Sequence, residues 1–193
     1  MTILAFDTSA AHCAAALLCG DRVTTRVEEM AKGQAERLVP MMEELLAASS
    51  VDWADLSAIA VGVGPGNFTG IRISVALARG LALGLGVPAI GVTGFEAVQA
   101  ATTAPPPYSV VLDAPRGQFY VQQFGEPEGE AHIANEVGGP VVRLSDISVD
   151  RLVEAIARVG LARSGATQPR PKPFYLRGAD AAPPSDLPPA ILP

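Results

Sequence analysis

A glycine-rich turn between an apolar run and a long Ala/Leu-rich segment constrains this chain more than any other feature. The stretch AVGVGPGNFTGIRIS (residues 60–74) sets Gly62, Gly64, Gly66 and Gly70 around Pro65. Loops of this form commonly hold a phosphate, because the first turn of a helix offers free amides and the positive end of its dipole. The dinucleotide fingerprint needs glycines at spacings of two and then three. Gly62 and Gly64 would require a glycine where Asn67 stands, and Gly64 and Gly66 one where Thr69 stands. The P-loop needs a lysine at the helix start, and there is none between Lys32 and Lys172. Both signatures fail. What remains is backbone chemistry. Gly64 and Gly66 can take positive φ, Thr69 is a reasonable N-cap, and Gly64, Gly66, Asn67 and Thr69 form a candidate anion-binding turn, weak without a lysine or a magnesium-holding carboxylate. The plainer reading is a tight turn that lets the helix pack close.

The helix that follows, predicted over Phe68 to Leu85, supports the plainer reading. Ala76, Gly80 and Gly84 recur every four residues and leave one face almost bare of side chains, beside a second apolar stripe of Leu77, Leu81 and Leu85. A helix apolar on most sides must be covered by sheet on one side and by something else on the other. That cover is either another helix of the chain or another subunit. An earlier helix is predicted over Gln34 to Ala48, where Leu38, Met41, Met42, Leu45 and Leu46 share one face. Pro40 should kink it or mark its first full turn.

The chain opens as a β-meander. Strands are predicted over residues 2–8, from Cys13 to Cys19 and from Arg22 to Glu28, with a hairpin turn at Gly20-Asp21. Further strands are expected over Leu56 to Val63 and Ala89 to Val92, and a helix over Gly94 to Ala101. Pro105-Pro106-Pro107 is a rigid break, so the lobe boundary is placed there. Beyond it, SVVLDAPRGQFYVQQF (109–124) echoes TILAFDTSAAHCAAALL (2–18): an apolar strand ending in Asp, a short turn and a return strand. Asp7 and Asp113 are the equivalent carboxylates, which suggests a duplicated α/β fold. After Phe124 the pattern fades, except for a helix over Val149 to Ala162. The expected division is residues 1–104 as a first lobe, 105–181 as a shortened second lobe and 182–193 as a Pro-rich extended or disordered tail.

Composition narrows the function. The 193 residues carry a net charge of −6, and an acidic chain is a poor nucleic-acid binder on its own. No run of about 18 consecutive apolar residues is present, so no membrane span is expected. The N-terminus lacks a basic region and reads as a first strand rather than a secretion signal. Cys13 and Cys19 lie on one face of a strand, too far apart to bridge, and read as reduced thiols of a cytoplasmic protein.

Five stretches together carry a resemblance: ILAFDTSA (3–10), AERLVPMMEELL (35–46), GVGPGNFTGIRISVALARGLALGLGVPAIGVTGFEAV (62–98), LDAPRGQFY (112–120) and PFYLRGAD (173–180). The chain resembles the TsaB (YeaZ) family, closely over residues 1–124 and patchily from 125 to 172. The resemblance implies an actin/Hsp70-like two-lobed α/β (ASKHA) fold, with a second lobe shorter than is usual for the family. It also implies a non-catalytic subunit that binds TsaD, the enzyme that transfers a threonylcarbamoyl group to the adenosine 3′ of the tRNA anticodon. The ATPase TsaE would join through the complex, the chain would form a homodimer when alone, and tRNA contact would be indirect. In TsaD the stretch after the short strand reads like Asn-His-Leu-Glu-Gly-His, and its histidines hold a metal; Gly94 and Val98 occupy those positions here.

The residues themselves point the same way on catalysis. A transition-metal site needs three or four ligands, and the chain has two histidines, His12 and His132, in different lobes. No Gly-x-Ser-x-Gly elbow accompanies them. A kinase-like Asp7/Asp113 cleft would need a second glycine-rich phosphate loop, where Pro115 and Arg116 stand instead; the plainer reading has both carboxylates accepting backbone N–H groups in their turns. No catalytic residue, metal site or cofactor is therefore expected, beyond an adenine nucleotide held weakly or at a shared interface. The expected partner-binding surface combines the two long helices through Leu38, Met41, Met42, Leu45, Ile73, Ala76, Leu77, Gly80, Leu81 and Gly84. The competing class is an ATPase or small-molecule kinase of the actin-like superfamily, and the competing role for Met41 and Met42 is core filling.

Overall fold

The computed structural model describes residues 1–176; the segment 177–193, which includes the expected tail, lies outside the described residues. Two mixed sheets carry the fold. The first is built from β1 (Thr2–Asp7), β2 (His12–Cys19), β3 (Arg22–Glu29), β4 (Ala58–Gly62) and β5 (Ala89–Val92), in the order β3-β2-β1-β4-β5. β1 pairs antiparallel with β2, and parallel with β4, which in turn pairs parallel with β5. The parallel steps are crossed by α1 (Gln34–Ala48) and α2 (Phe68–Leu85). α3 (Gly94–Ala101) follows β5, and the Pro105–Pro107 stretch then leads into β6 (Tyr108–Ala114).

The second sheet consists of β6, β7 (Gln118–Phe124), β8 (His132–Ala134) and β9 (Val141–Arg143), in the order β8-β7-β6-β9. β6 is antiparallel to β7 and parallel to β9, and β7 is antiparallel to β8. This repeats the β3-β2-β1-β4 core of the first sheet strand for strand. The Asp7/Asp113 echo therefore has a topological basis, as each carboxylate sits at the end of the equivalent strand. The copy is abbreviated where β8 joins β9: residues 135–140 stand where the first sheet has α1. The fold is thus of the two-lobed actin-like type, with a reduced second sheet.

The period of two in β1 explains the layers. Ile3 and Ala5 point to one face, Leu4 and Phe6 to the other, and all are fully buried. The Leu4/Phe6 face meets α1 and α2, packing against Leu38, Met41, Met42, Ile71, Val75 and Ala78. The Ile3/Ala5 face meets α3, β6 and α4 (Val149–Arg163), through Phe95, Val98, Leu112, Val153 and Ile156. α4 thus packs on the first sheet although its sequence belongs to the expected 105–181 unit, which does not stand apart. The apolar stripe of α4 has no broad sheet of its own to cover, and it closes the open face of the first one.

Candidate docking face and interlobe cleft

The glycine turn packs against the end of β1. A Cβ on Gly62 would lie 1.9 Å from Asp7 Oδ1, one on Gly66 2.3 Å from the Ser9 carbonyl oxygen, and one on Gly70 1.8 Å from that of Thr8. Any side chain there would collide with the Asp7-Thr8-Ser9 turn. The same contacts use up polar groups. Asn67 N–H donates to the Ser9 carbonyl at 2.6 Å, and Thr8 Oγ1 donates to the Gly70 carbonyl at 2.7 Å.

Two expectations for this turn need correction. The N-cap of α2 is Asn67, whose side chain accepts from Gly70 N–H at 2.9 Å, rather than Thr69. Asn67 is one residue nearer the turn, where the backbone is still extended, so its carboxamide reaches the first helical amides. The candidate anion seat also loses members. Asn67 N–H is taken by Ser9, and Gly64 is buried at φ +94, its carbonyl accepting from Gly94 N–H at 2.8 Å. Gly66 and Thr69 remain exposed.

α2 divides into two faces. Ile71, Ser74, Val75, Ala78 and Ala82 are buried against the sheet. Ile73, Leu77 and Leu81 are half-buried at the flanks, while Ala76, Gly80 and Gly84 are exposed. A Cβ on Gly80 or Gly84 would meet nothing within 4 Å. Leu83 is 82% exposed on the same side. The small-residue stripe therefore does not seat another helix of the chain among the described residues. A groove of ≈ 530 Å³ continues this face past the helix end, lined by Leu83, Val87, Pro88 and Pro171 with Arg79 and Arg170 at its sides. By length and composition alone α2 is apolar enough to cross a membrane; its inner face is instead packed on the sheet.

The contribution expected from α1 is corrected. Leu38, Met41, Met42 and Leu45 are all 2% exposed or less. They fill the core between α1 and the Leu4/Phe6 face, so they are not available to a partner of the folded chain. The outward face of α1 is polar, and Arg37 ties it to β3 by hydrogen bonds to Glu28 at 2.8 Å and 2.5 Å.

A feature that pattern reading did not single out is the strap before residue 177. Phe174 N–H donates to the Val63 carbonyl at 2.8 Å, and its ring meets Phe95 edge-on at 6.4 Å. Tyr175 stacks on Phe68 at 4.9 Å and accepts from Arg72 Nε at 2.9 Å. The Arg72 guanidinium lies 3.7 Å from the centre of the Phe68 ring. This cluster crowns the N-terminal end of the exposed α2 face. The PFYL residues belong to the stretches that carry the resemblance, but nothing local in the sequence shows which element they cross.

Asp7 is 2% exposed, and its Oδ2 accepts from Ser9 N–H at 2.9 Å, Ser9 Oγ at 2.8 Å and His12 Nε2 at 2.7 Å. The turn reading of Asp7 thus describes its surroundings. Asp113 differs, being exposed on the wall of a cleft between the sheets that also contains Ser9, His12, Gly66 and Asn67. Among the described residues no three His, Cys, Asp or Glu side chains gather as a metal-binding set. Cys13 and Cys19 are free thiols.

This architecture is that of the actin-like two-lobed proteins, with Asp113 on the wall of the interlobe cleft and Asp7 buried behind Ser9 and His12. A family model described as TsaD: tRNA N6-adenosine threonylcarbamoyltransferase matches residues 24–180. The Haemophilus influenzae tRNA threonylcarbamoyladenosine biosynthesis protein TsaB is 33% identical over 202 residues, covering 97% of this chain and 82% of that protein. The Escherichia coli protein of the same description is 41% identical over 93 residues, 48% of this chain and 40% of its own length. In structure, YeaZ from Pseudomonas aeruginosa superposes with a TM-score of 0.75 at 25% identity, over 91% of this chain and 99% of that one. The chain belongs to the TsaB/YeaZ family.

Proposed function

We propose that this chain acts in tRNA threonylcarbamoyladenosine biosynthesis as a non-catalytic subunit. It docks on TsaD through the outer face of α2 and supports transfer of the threonylcarbamoyl group to the adenosine 3′ of the anticodon. The observation that carries the reading is the bare stripe of Ala76, Gly80 and Gly84, which lies open beside Leu83 on an otherwise core-packed helix. Small residues let a partner backbone come close, and burial of the flanking apolar area supplies the driving force. The half-buried Ile73, Leu77 and Leu81 would form the sides of the contact, with the Phe68–Arg72–Tyr175 cluster at one end. Aromatic and arginine side chains of this kind often anchor interfaces. The same face would serve a homodimer when TsaD is absent, and TsaE would join through the complex.

Non-catalytic character is supported by the burial of Asp7 behind Ser9 and His12, which keeps it from facing Asp113 across the cleft as a carboxylate pair. The acidic balance of the chain assigns tRNA contact to the partner, and a cytoplasmic site of action follows from that substrate. An adenine nucleotide, if held, would sit at the shared interface. The test is co-purification of the chain with TsaD, comparing the wild type with Gly80→Leu. The variant should stay folded, because its side chain enters open space, and should lose the partner. Retention of the complex by a folded Gly80→Leu would remove this face from the interface.

A further inference from the structure

The cleft between the sheets has a volume of ≈ 680 Å³, inside the range of about 300–1,000 Å³ typical of small-molecule sites. Its walls are largely apolar, with Leu112, Tyr120, Ile147 and Leu152 among them. Two of the polar groups on those walls, one on each side, have no protein partner among the described residues and differ in chemistry from the hydroxyls beside them. His12 is 6% exposed and its Nε2 is committed to Asp7 Oδ2 at 2.7 Å, which leaves Nδ1 unpaired. The exposed Asp113 carboxylate makes neither a hydrogen bond nor an ion pair with them.

The chemistry of these groups selects a ligand. His12 Nε2 pairs with the Asp7 carboxylate, so Nδ1 is the ring atom left for a ligand, and in the tautomer that carries its hydrogen on Nε2 it is an acceptor. Asp113 as a carboxylate is likewise an acceptor. Among the described residues no lysine or arginine lines the cleft, and the Asn67 backbone amide at its edge already donates to Ser9. Beside the neutral Asn67 carboxamide and the Tyr120 and Ser145 hydroxyls, the one charged group on these described walls is the Asp113 carboxylate, a poor setting for a phosphate and a good one for a donor-rich cation. A buried ring nitrogen without a partner is costly, so its pairing favours occupancy.

We propose that the interlobe cleft binds a small primary ammonium compound with an apolar body, its N–H groups donating to His12 Nδ1 and to Asp113. The probe is 2-phenylethylammonium, titrated into the full chain by ligand-observed NMR, with neutral 2-phenylethanol and magnesium-ATP in parallel. The amine should bind at least about tenfold more tightly than the alcohol, since a charge-assisted hydrogen bond is the difference between them. Asp113→Asn should weaken the amine about tenfold and leave the alcohol unchanged; this side chain is exposed, so the fold survives the change. Absence of amine binding, equal affinity for amine and alcohol, amine affinity unaltered in Asp113→Asn, or displacement of the amine by magnesium-ATP would each overturn the assignment.

Discussion

At the residue scale, steric contacts around the Asp7-Thr8-Ser9 turn decide what the glycines are for. Gly70→Ala would drive a methyl group into the Thr8 carbonyl, which lies 1.8 Å from the ideal Cβ. Backbone cannot swing aside as a flexible side chain can, so a destabilisation of about 1–3 kcal/mol or more is expected in chemical denaturation. An unchanged midpoint would show that the turn is not pinned. Met41→Ala tests the corrected role of α1: with the side chain fully buried, the cost should be about 2–5 kcal/mol of stability, and binding should suffer only as far as folding does. The cysteines give a third measurement. Burial, with a further push from Glu28, raises the Cys13 thiol to about 11, so at neutral pH it is protonated as well as inaccessible. A thiol reagent should modify the half-buried Cys19 first and reach Cys13 only on unfolding. Equal rates would contradict the packing.

At the element scale, α2 carries the functional claim and α3–α4 carries the joint between the sheets. Leu83→Glu alters a side chain 82% exposed, so stability should stay within about 0.5 kcal/mol of wild type, while association through this face should collapse. A melting temperature that falls with association intact would place Leu83 in the core. Glu96 on α3 pairs with Arg163 on α4 and closes a capping box with Thr93. Burial on its own would raise the Glu96 pKa; the Arg163 guanidinium and the Thr93 N–H and hydroxyl outweigh it, and the carboxyl ends below its ordinary value of 4.5. A depressed folded-state pKa adds stability that is fully present above the unfolded value and is lost as pH falls through the folded one. The melting temperature of the wild type should therefore drop below about pH 4.5 more steeply than that of Glu96→Gln. Parallel pH profiles would show that the pair contributes nothing.

The elements differ in how far the sequence discloses them, and the reasons are physical. α1, α2, α3 and β5 fall on their predicted residues: α1 and α2 display a long apolar periodicity, and Gly33, Gly86, Pro88 and Gly94 mark where elements begin or end. β8 and β9 went unseen: at three residues each, they are too short to display an alternation. Met41 and Met42 lie on the apolar face as read, but a helical period cannot say whether sheet or partner covers that face. The Gly80 stripe was legible as a bare surface for the opposite reason, since the absence of side chains is itself a pattern. The strap over the glycine turn was illegible, because its contacts join residues about a hundred positions apart.

At the scale of the whole molecule, the same strand plan occurs twice in unequal halves. The first sheet keeps its crossover helices and both buried faces, while the second keeps four strands and lends α4 to the first. The two sheets meet through α3 and α4, with the outer face of α2 uncovered on one side and an apolar-walled cleft carrying His12 and Asp113 between the sheets. On this account the lone chain performs no chemistry, and calorimetry with magnesium-ATP should give no saturable heat. The most direct test is a reconstituted transfer assay on tRNA with TsaD, TsaE and the threonylcarbamoyl donor, run with this chain, without it, and with Leu83→Glu. Modified adenosine should accumulate only with the wild-type chain. Equal product without the chain, or full product with a folded variant that no longer binds TsaD, would contradict the claim that docking through α2 is what this protein does.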